Sequence, residues 1–177
     1  YNKNIHNEGR ISGGKFYGQV KNQMSGQITG GEFWDEVTNL IMEGGSGLTP
    51  GFQQTCKITN GTFNAQVINH TTISGGNFNA LVTNKGTITG GTFQGNVTNS
   101  TDKTISNAVF YKEVENNGTI EASKFMKNAS VSANDPVTVI HCVDGADREM
   151  TYGGNILSAL NRGQSDTIWF NGSTQVG

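Results

Sequence analysis

The residues best suited to chemistry lie near the end of the chain, in the run His141-Cys142-x-x-Gly145-x-x-Arg148. A cysteine thiolate can attack phosphorus, and a nearby arginine can bind two phosphoryl oxygens through its forked guanidinium. This spacing would therefore suit hydrolysis of a phosphate ester. That chemistry needs the loop to join a strand to the N-terminus of a helix, whose backbone N–H groups hold the phosphate.

The sequence around this run favours a structural role for the cysteine. The spacing matches the phosphate-binding loop of cysteine phosphatases, yet Glu149 stands where those enzymes have Ser or Thr. Asp144 and Asp147 add negative charge that would repel phosphate and keep the thiol protonated. The residues after Arg148 alternate like a strand, so the helix that the chemistry requires is missing from the pattern. We therefore predict that Cys142 is packed rather than catalytic.

Two carboxylate pairs, Asp35-Glu36 and Glu113-x-Glu115, have the residue type that polysaccharide-cleaving β-helices use for acid–base catalysis. The pairs are far apart in the chain, and no cluster of Lys or Arg accompanies either of them. The pattern indicates solvated surface residues.

Metal and cofactor sites are not indicated either, since the three histidines, His6, His70 and His141, have no metal-ligand spacing. We predict a chain with no catalytic residues, no bound metal and no cofactor.

Aromatic residues offer the one candidate binding site. Tyr17, Trp34 and Tyr111 each follow a phenylalanine of a regular pattern, so they should face outward and could stack on sugar rings. The alternative is that they pack across the N-terminal edge or against an insertion.

These side chains would be positioned by an internal repeat of about fifteen residues. The pattern Ile-x-Gly-Gly-x-Phe-x-x-x-Val-x-Asn fits residues 73–84 and fits again at 88–99. The Ile positions are Ile11, Ile28, Ile58, Ile73, Ile88, Ile105 and Ile120. The Phe positions are Phe16, Phe33, Phe63, Phe78, Phe93, Phe110 and Phe125. The third positions are Val20, Val37, Val67, Val82, Val97, Val114 and Ala129. Self-similarity at a fixed period predicts a stacked-repeat fold.

The composition of the unit indicates strands. Paired glycines disfavour a helix, and β-branched or aromatic residues flanked by Thr and Asn favour short strands with the middle side chain inward. We predict an all-β fold, a three-sided parallel β-solenoid of short coils over residues 1–133. Gly-Gly and Asn would form the bends, and the repeated Asn would form a ladder that caps turn backbone groups.

Two irregular stretches complete the predicted stack. Ile5-His6-Asn7 fits the end of an incomplete first coil. The gap of 21 residues between Val37 and Ile58 is long enough for one hidden, degenerate coil, in which Met42-Glu43-Gly44-Gly45 resembles the start of the repeat. Counting that coil gives about eight.

Residues 134–177 are predicted to form a small second unit. Asn134-Asp135-Pro136 marks the boundary, and residues 137–142 read as a strand followed by a turn at Asp144-Gly145. A returning strand over 148–152, a short helix over 156–161 and a strand over 167–170 would follow. This order is that of a β-grasp-like unit.

The composition excludes several classes of function. The chain has 177 residues, a net charge of −2, 15% charged residues and no basic patch, so nucleic-acid binding is not expected. No apolar run approaches the length of a membrane span. Cys56 and Cys142 are too few for a disulfide scaffold and need not pair. The chain begins within a repeat, and we expect it to belong to a longer protein and to be monomeric.

The repeat resembles the Gly-Gly-x-Phe repeats of large bacterial surface proteins over residues 5–133, and the run 148–153 is similar to the β-grasp-like modules that often follow them. The resemblance implies an extracellular or cell-surface location and a non-enzymatic stalk or adhesin that binds a host glycan or protein. A carbohydrate-active β-helix enzyme and a cysteine phosphatase are the alternatives.

An ice-binding solenoid is a further alternative, and it requires an unbroken array of threonines. Thr29, Thr59 and Thr89 share a repeat position with Ser12, Ser74, Ser106 and Glu121. The interruption disfavours ice binding.

Overall fold

The computed structural model describes residues 2–41, 56–126, 129–133, 138–145, 149–153, 168–170 and 174–176. In these ranges the chain forms β-strands and turns, without a helix. The strands, in chain order, are β1 (Ile5–Asn7), β2 (Arg10–Phe16), β3 (Val20–Asn22), β4 (Gln27–Phe33), β5 (Val37–Asn39), β6 (Lys57–Ile58), β7 (Thr62–Phe63), β8 (Val67–Asn69), β9 (Thr72–Ile73), β10 (Asn77–Phe78), β11 (Val82–Asn84), β12 (Thr87–Ile88), β13 (Gly91–Phe93), β14 (Val97–Asn99), β15 (Thr104–Ser106), β16 (Ala108–Phe110), β17 (Glu113–Asn116), β18 (Thr119–Glu121), β19 (Lys124–Phe125), β20 (Ser130–Ala133), β21 (Thr138–Asp144), β22 (Glu149–Gly153), β23 (Ile168–Phe170) and β24 (Thr174–Val176).

Strands β1 to β21 stack coil upon coil in two parallel sheets. One sheet has the order β1-β3-β5-β8-β11-β14-β17-β20 and contains the Val-x-Asn part of each coil. The other contains the Ile and Phe strands, which the long β4 joins because it pairs with both β6 and β7. The pairing β1–β3, with Ile5 opposite Val20, confirms the incomplete first coil. The chain is therefore a parallel β-solenoid, as the repeat predicts.

Phenylalanine forms the central column of the core. The seven Phe rings at the repeat position are buried, with ring centroids 4.8–5.4 Å apart from one coil to the next. The Ile column is also buried from Ile28 onward, and the Val column from Val20. Each coil contributes one side chain to each of the Ile, Phe and Val columns, so the hydrophobic core is a set of columns one residue wide.

A buried asparagine ladder runs along one corner. Each Nδ2 donates to the Oδ1 of the next asparagine at 2.6–2.8 Å, from Asn7 through Asn22, Asn39, Asn69, Asn84 and Asn99 to Asn116. The same Nδ2 atoms also reach backbone carbonyls of the turns, as from Asn22 to Gly26 O at 3.0 Å and from Asn99 to Lys103 O at 3.0 Å. This confirms the predicted ladder and its capping role.

The second glycine of the Gly-Gly pair in the repeat is required for two reasons: its backbone has a positive φ angle, and it has no side chain to collide with the Phe rings. Gly76 has a φ of +120°, and a Cβ there would lie 3.2 Å from Cε2 of Phe63 and 3.3 Å from Cζ of Phe78. In the last two coils Ala108 and Ser123 occupy this position, and the positive φ moves one residue earlier, to Asn107 and Ala122. The bend therefore persists where the glycines are lost.

The prediction of a hidden coil in the 21-residue gap is wrong. Ile28 pairs directly with Ile58, Phe33 with Phe63 and Val37 with Val67. The coils on either side of the gap are thus adjacent in all three columns, and the solenoid has about seven turns rather than eight. Residues 42–55, including the Met42-Glu43-Gly44-Gly45 run, lie outside the described residues.

The third position of the last coil also differs from the prediction. Val131, not Ala129, pairs with Val114, and Ala133 pairs with Asn116. Ala129 and Val131 are both buried, so both contribute to the core. The four-residue step from Phe to the third position is therefore lost in this coil.

The hairpin predicted around residue 144 is confirmed, and one of its strands also continues the solenoid. β21 and β22 pair antiparallel, with Val143 opposite Glu149. β21 pairs in parallel with β18 and β19, with Val139 opposite Ile120. The strand predicted at 167–170 is present as β23, paired with β24. The predicted helix at 156–161 lies outside the described residues, so the β-grasp-like unit remains a prediction.

Candidate functional site

One outer column of the solenoid carries all three predicted aromatic binding residues. The residue after each core phenylalanine projects outward, and from Trp34 to Met126 it donates its backbone N–H to the Phe carbonyl of the preceding coil, at 2.8–2.9 Å. We name the stretch of this column from Tyr17 to Tyr111 the aromatic–amide strip, and Met126, which follows Phe125, lies beyond it. From the N-terminal end the members of the strip are Tyr17, Trp34, Asn64, Asn79, Gln94 and Tyr111.

The structure brings two of the aromatic residues together. The rings of Tyr17 and Trp34 stack, with centroids 6.3 Å apart and planes inclined by 17°. These side chains are 52% and 49% exposed, so each keeps about half of its surface open to solvent. Tyr111 is 36% exposed and lies four coils beyond Trp34. The pair and the single tyrosine therefore stand at opposite ends of the strip.

Side-chain amides fill the strip between the aromatic ends. Asn79 Nδ2 donates to Asn64 Oδ1 at 2.8 Å. Asn64 Nδ2 is screened from water and has no hydrogen-bond partner in the described residues. The sequence analysis did not identify these amides as binding residues. They could have been found in the same way as the aromatic residues, because each of them also follows a Phe of the repeat.

The neighbouring outer column, which precedes each Phe, has no charge in the middle of the solenoid. Thr62, Asn77 and Thr92 lie beside the amides of the strip. At the N-terminal end Lys15 Nζ and Glu32 Oε2 form an ion pair at 3.2 Å. The centre of this face is therefore polar but uncharged over three consecutive coils.

The candidate carboxylates are not brought to one place. Glu113 and Glu115 line an open depression together with Leu81, Asn96 and Thr98, on the sheet that carries the Val column. Thr98 Oγ1 donates to Glu115 Oε2 at 3.4 Å. Asp35 and Glu36 lie several coils away, where Asp35 Oδ1 accepts the N–H of Glu36 at 2.7 Å. In the described part of the chain, no three His, Cys, Asp or Glu residues are grouped to hold a metal ion.

The hydroxyl face considered for ice binding is regular over a short distance only. Thr72, Thr87, Thr104 and Thr119 are in register before the Ile positions. Lys57 precedes them in that column, and Glu121 interrupts the column after Ile. Thr138 of β21 pairs with Thr119, so the continuous threonine column extends over five strands.

Cys142 lies inside the solenoid. The side chain is fully buried in the hydrophobic core, and Sγ lies 3.8 Å from the carbonyl oxygen of Ile120. Arg148, the other half of the phosphatase-like run, lies outside the described residues. A nucleophile must be reached by its substrate, and a substrate cannot reach a thiol that is buried in the core.

We predict that the protein does not hydrolyse an aryl phosphate, because the Cys142 thiol is enclosed by core residues. The Cys142→Ser variant should show the same absence of hydrolysis. A colorimetric assay with an aryl phosphate, run on both proteins at neutral pH, measures it. Turnover that disappears in Cys142→Ser would contradict the prediction.

Cys56 is a second buried thiol, and Cys56 and Cys142 do not form a disulfide. Cys56 Sγ donates to Leu40 O at 2.8 Å and lies 3.3 Å from Thr71 Oγ1. Burial raises the pKa of the Cys56 thiol, an effect that the hydrogen bond with Thr71 reduces. The folded protein therefore holds this proton more tightly than the unfolded chain does.

We expect this thiol to make the protein less stable at alkaline pH. Its contribution is fully present below the pKa of the thiol in the unfolded chain, and it is lost as the pH rises through the higher folded-state pKa. Urea unfolding at several pH values from neutral to about pH 10 should show a smaller alkaline loss in Cys56→Ser than in the parent. An identical loss in both proteins would contradict the assignment.

Comparison with protein-family models, with curated proteins and with solved structures finds no match to this chain. Among the described residues, no helix is both long enough and apolar enough to cross a bilayer.

Proposed function

We propose that this chain is a non-enzymatic, extracellular stalk or adhesin-type module of a bacterial surface protein, which presents the aromatic–amide strip to a binding partner. The observation that carries the proposal is the strip itself. Exposed aromatic residues and polar amides occur on one straight outer column, in register over successive coils. Exposed aromatic surface beside hydrogen-bonding groups is typical of a binding face rather than of a solvated one.

The regularity of the stack also supports a spacer role. Each coil adds one residue to each column, so the face lengthens in proportion to the number of repeats. The resemblance of the Ile-Ser/Thr-Gly-Gly-x-Phe unit to bacterial surface repeats supports the extracellular location, and a β-grasp-like unit after the solenoid would agree with it. We expect the chain to be monomeric, which sedimentation analysis measures.

A carbohydrate-active enzyme is the alternative. The observation in its favour is that Glu113 and Glu115 project from the same face of β17 into one open depression. Hydrolysis would require one of the two to act as an acid and the other as a base or nucleophile. Glu113→Gln would then abolish polysaccharide cleavage, whereas a non-enzymatic module releases no shorter sugars before or after the change.

Adhesion of beads coated with the full chain tests the proposed function. We expect coated beads to attach to a mucin-covered surface more than beads carrying an unrelated protein, and we expect Trp34→Ala to reduce the attachment. Attachment no better than the unrelated protein, or catalytic turnover of the surface glycan, would overturn the proposal.

A further inference from the structure

We propose that the aromatic–amide strip binds an uncharged, extended β-1,4-linked pyranose chain that lies along the solenoid axis. The inference rests on the proposed binding role and specifies its ligand. Three features carry it: the aromatic groups at the two ends, the uncharged amides between them, and the distance between coils.

The aromatic pair provides a platform for a sugar ring. Tyr17 and Trp34 are stacked on each other and half-exposed, so their combined apolar surface is larger than that of a single exposed ring. The C–H groups on one side of a pyranose are weakly positive and pack against the negative face or the apolar body of an aromatic ring. One end of the ligand is thereby fixed at the N-terminal end of the strip.

The amides provide hydrogen bonds of the kind that hydroxyl groups need. A sugar hydroxyl both donates and accepts, and a side-chain amide presents a donor and an acceptor. Asn64 is next to Trp34 in the column, and its Nδ2 has no partner in the described residues although its Oδ1 accepts from Asn79. A small rotation of the partly buried Asn64 side chain would bring Nδ2 to the surface, where a hydroxyl beside the Trp34 ring would supply the missing acceptor.

The charge pattern selects a neutral ligand. Over the three central coils, the two outer columns of this face contain Asn, Thr and Gln only. Within these two columns, the charges at the N-terminal end are Lys15 and Glu32, which form an ion pair with each other. An acidic polysaccharide would need paired Lys or Arg along the strip, and the central coils provide none.

The repeat distance of the solenoid suits a sugar chain. Successive Phe rings beneath the strip are 4.8 Å apart between Phe63 and Phe78 and between Phe78 and Phe93. An extended β-1,4-linked chain advances by nearly the same distance per sugar, so consecutive sugars meet consecutive amides. Trp34 and Tyr111 are four coils apart, about 19 Å at strand spacing. A ligand must therefore have about five sugars to contact both.

Titration calorimetry of the full chain with cello-oligosaccharides of two to six glucose units tests the inference. We expect affinity to increase with length until both aromatic ends are engaged. Trp34→Ala should weaken binding of every oligosaccharide by about tenfold or more. Tyr111→Ala should weaken binding of the hexaose and leave the disaccharide unchanged, a length dependence that general destabilisation would not produce.

Leu81→Ala is the matched control, since Leu81 is also an exposed apolar residue, at 39%, but lies on the sheet with the Val column. It should leave binding unchanged. Absence of binding to every neutral oligosaccharide, stronger binding to an oligogalacturonate, or an equal loss in Leu81→Ala would overturn the inference. Unfolding curves for each variant establish that the proteins compared are folded.

The bead assay separates this inference from the proposed function. If the beads attach and cellohexaose inhibits their attachment, both the adhesive role and the glycan assignment are supported. Attachment that depends on Trp34 but that cellohexaose does not inhibit overturns the glycan assignment and leaves the adhesive role standing. Hexaose binding by beads that do not attach overturns the adhesive role alone.

Discussion

Replacing Phe93 with alanine is expected to lower the free energy of unfolding by about 3–5 kcal/mol. Phe93 is fully buried in the middle of the column, with the ring of Phe78 at 4.8 Å on one side and that of Phe110 at 5.4 Å on the other. Truncation removes apolar contacts with both neighbours and leaves a cavity that the rigid strand spacing cannot close. Urea unfolding monitored by circular dichroism measures the change.

Two other substitutions calibrate this result. Val97→Ala in the adjacent column removes fewer methyl groups and should cost less than Phe93→Ala. Leu81→Ala, at an exposed position, should change the unfolding free energy by less than about 1 kcal/mol. A Phe93→Ala protein within a few tenths of a kcal/mol of the parent would mean that the Phe column is not the source of stability.

The damage should also spread along the stack in a definite order. Each coil contacts only its neighbours, so the coils of Phe78 and Phe110 lose support before the more distant coils. Amide hydrogen exchange of Phe93→Ala should therefore accelerate in these two coils first. Uniform acceleration along the whole solenoid would indicate a single cooperative unit instead.

Replacing Asn84 with alanine is expected to lower the free energy of unfolding by about 2–5 kcal/mol, because the Asn84 side chain, although polar, is buried and hydrogen-bonded. Its Nδ2 donates to Asn99 Oδ1 at 2.8 Å and to Gly86 O at 3.2 Å, and its Oδ1 accepts from Asn69 Nδ2 at 2.8 Å. Alanine would break the ladder in the middle and leave buried polar groups without these partners. Each such group costs about 1–3 kcal/mol.

Asn79→Ala is the matched control for Asn84→Ala. Both asparagines belong to the same coil, and each makes a side-chain hydrogen bond of 2.8 Å to another asparagine, but Asn79 is exposed. Water replaces the lost partner at the surface, so Asn79→Ala should cost about 1 kcal/mol or less. Equal losses of unfolding free energy in the two variants would refute the argument that burial makes the ladder important.

The periodic positions were enough to predict the core and the Asn ladder. The spacing from Ile to Phe, and in most coils from Phe to Val, is constant, so residues such as Ile88, Phe93 and Val97 had to recur at the same places in a stack. Alternation along a strand then required them to point inward. The outward direction of Tyr17 and Trp34 followed from the same rule.

Which coils are neighbours was decided by tertiary pairing. Met42-Glu43-Gly44-Gly45 fits the repeat locally, yet Phe33 pairs with Phe63 across the gap. In a parallel stack an insertion can leave the columns intact, because the hydrogen bonds join whichever coils become adjacent. Local spacing therefore cannot count the coils.

The local sequence pattern could not predict how the last coil of the solenoid is formed either. Ala129 and Val131 are two residues apart and both buried, so either satisfies the spacing of inward positions, and the pairing with Val114 selects Val131. Cys142 is buried because β21 joins the sheet beside β18 and β19 as well as forming a hairpin with β22. The sequence by itself determined the columns and the outward positions, since these depend on strand alternation and a constant step. Only the tertiary structure decided the coil count, the last coil and the stacking of Tyr17 on Trp34, since these depend on contacts between segments that local spacing does not relate.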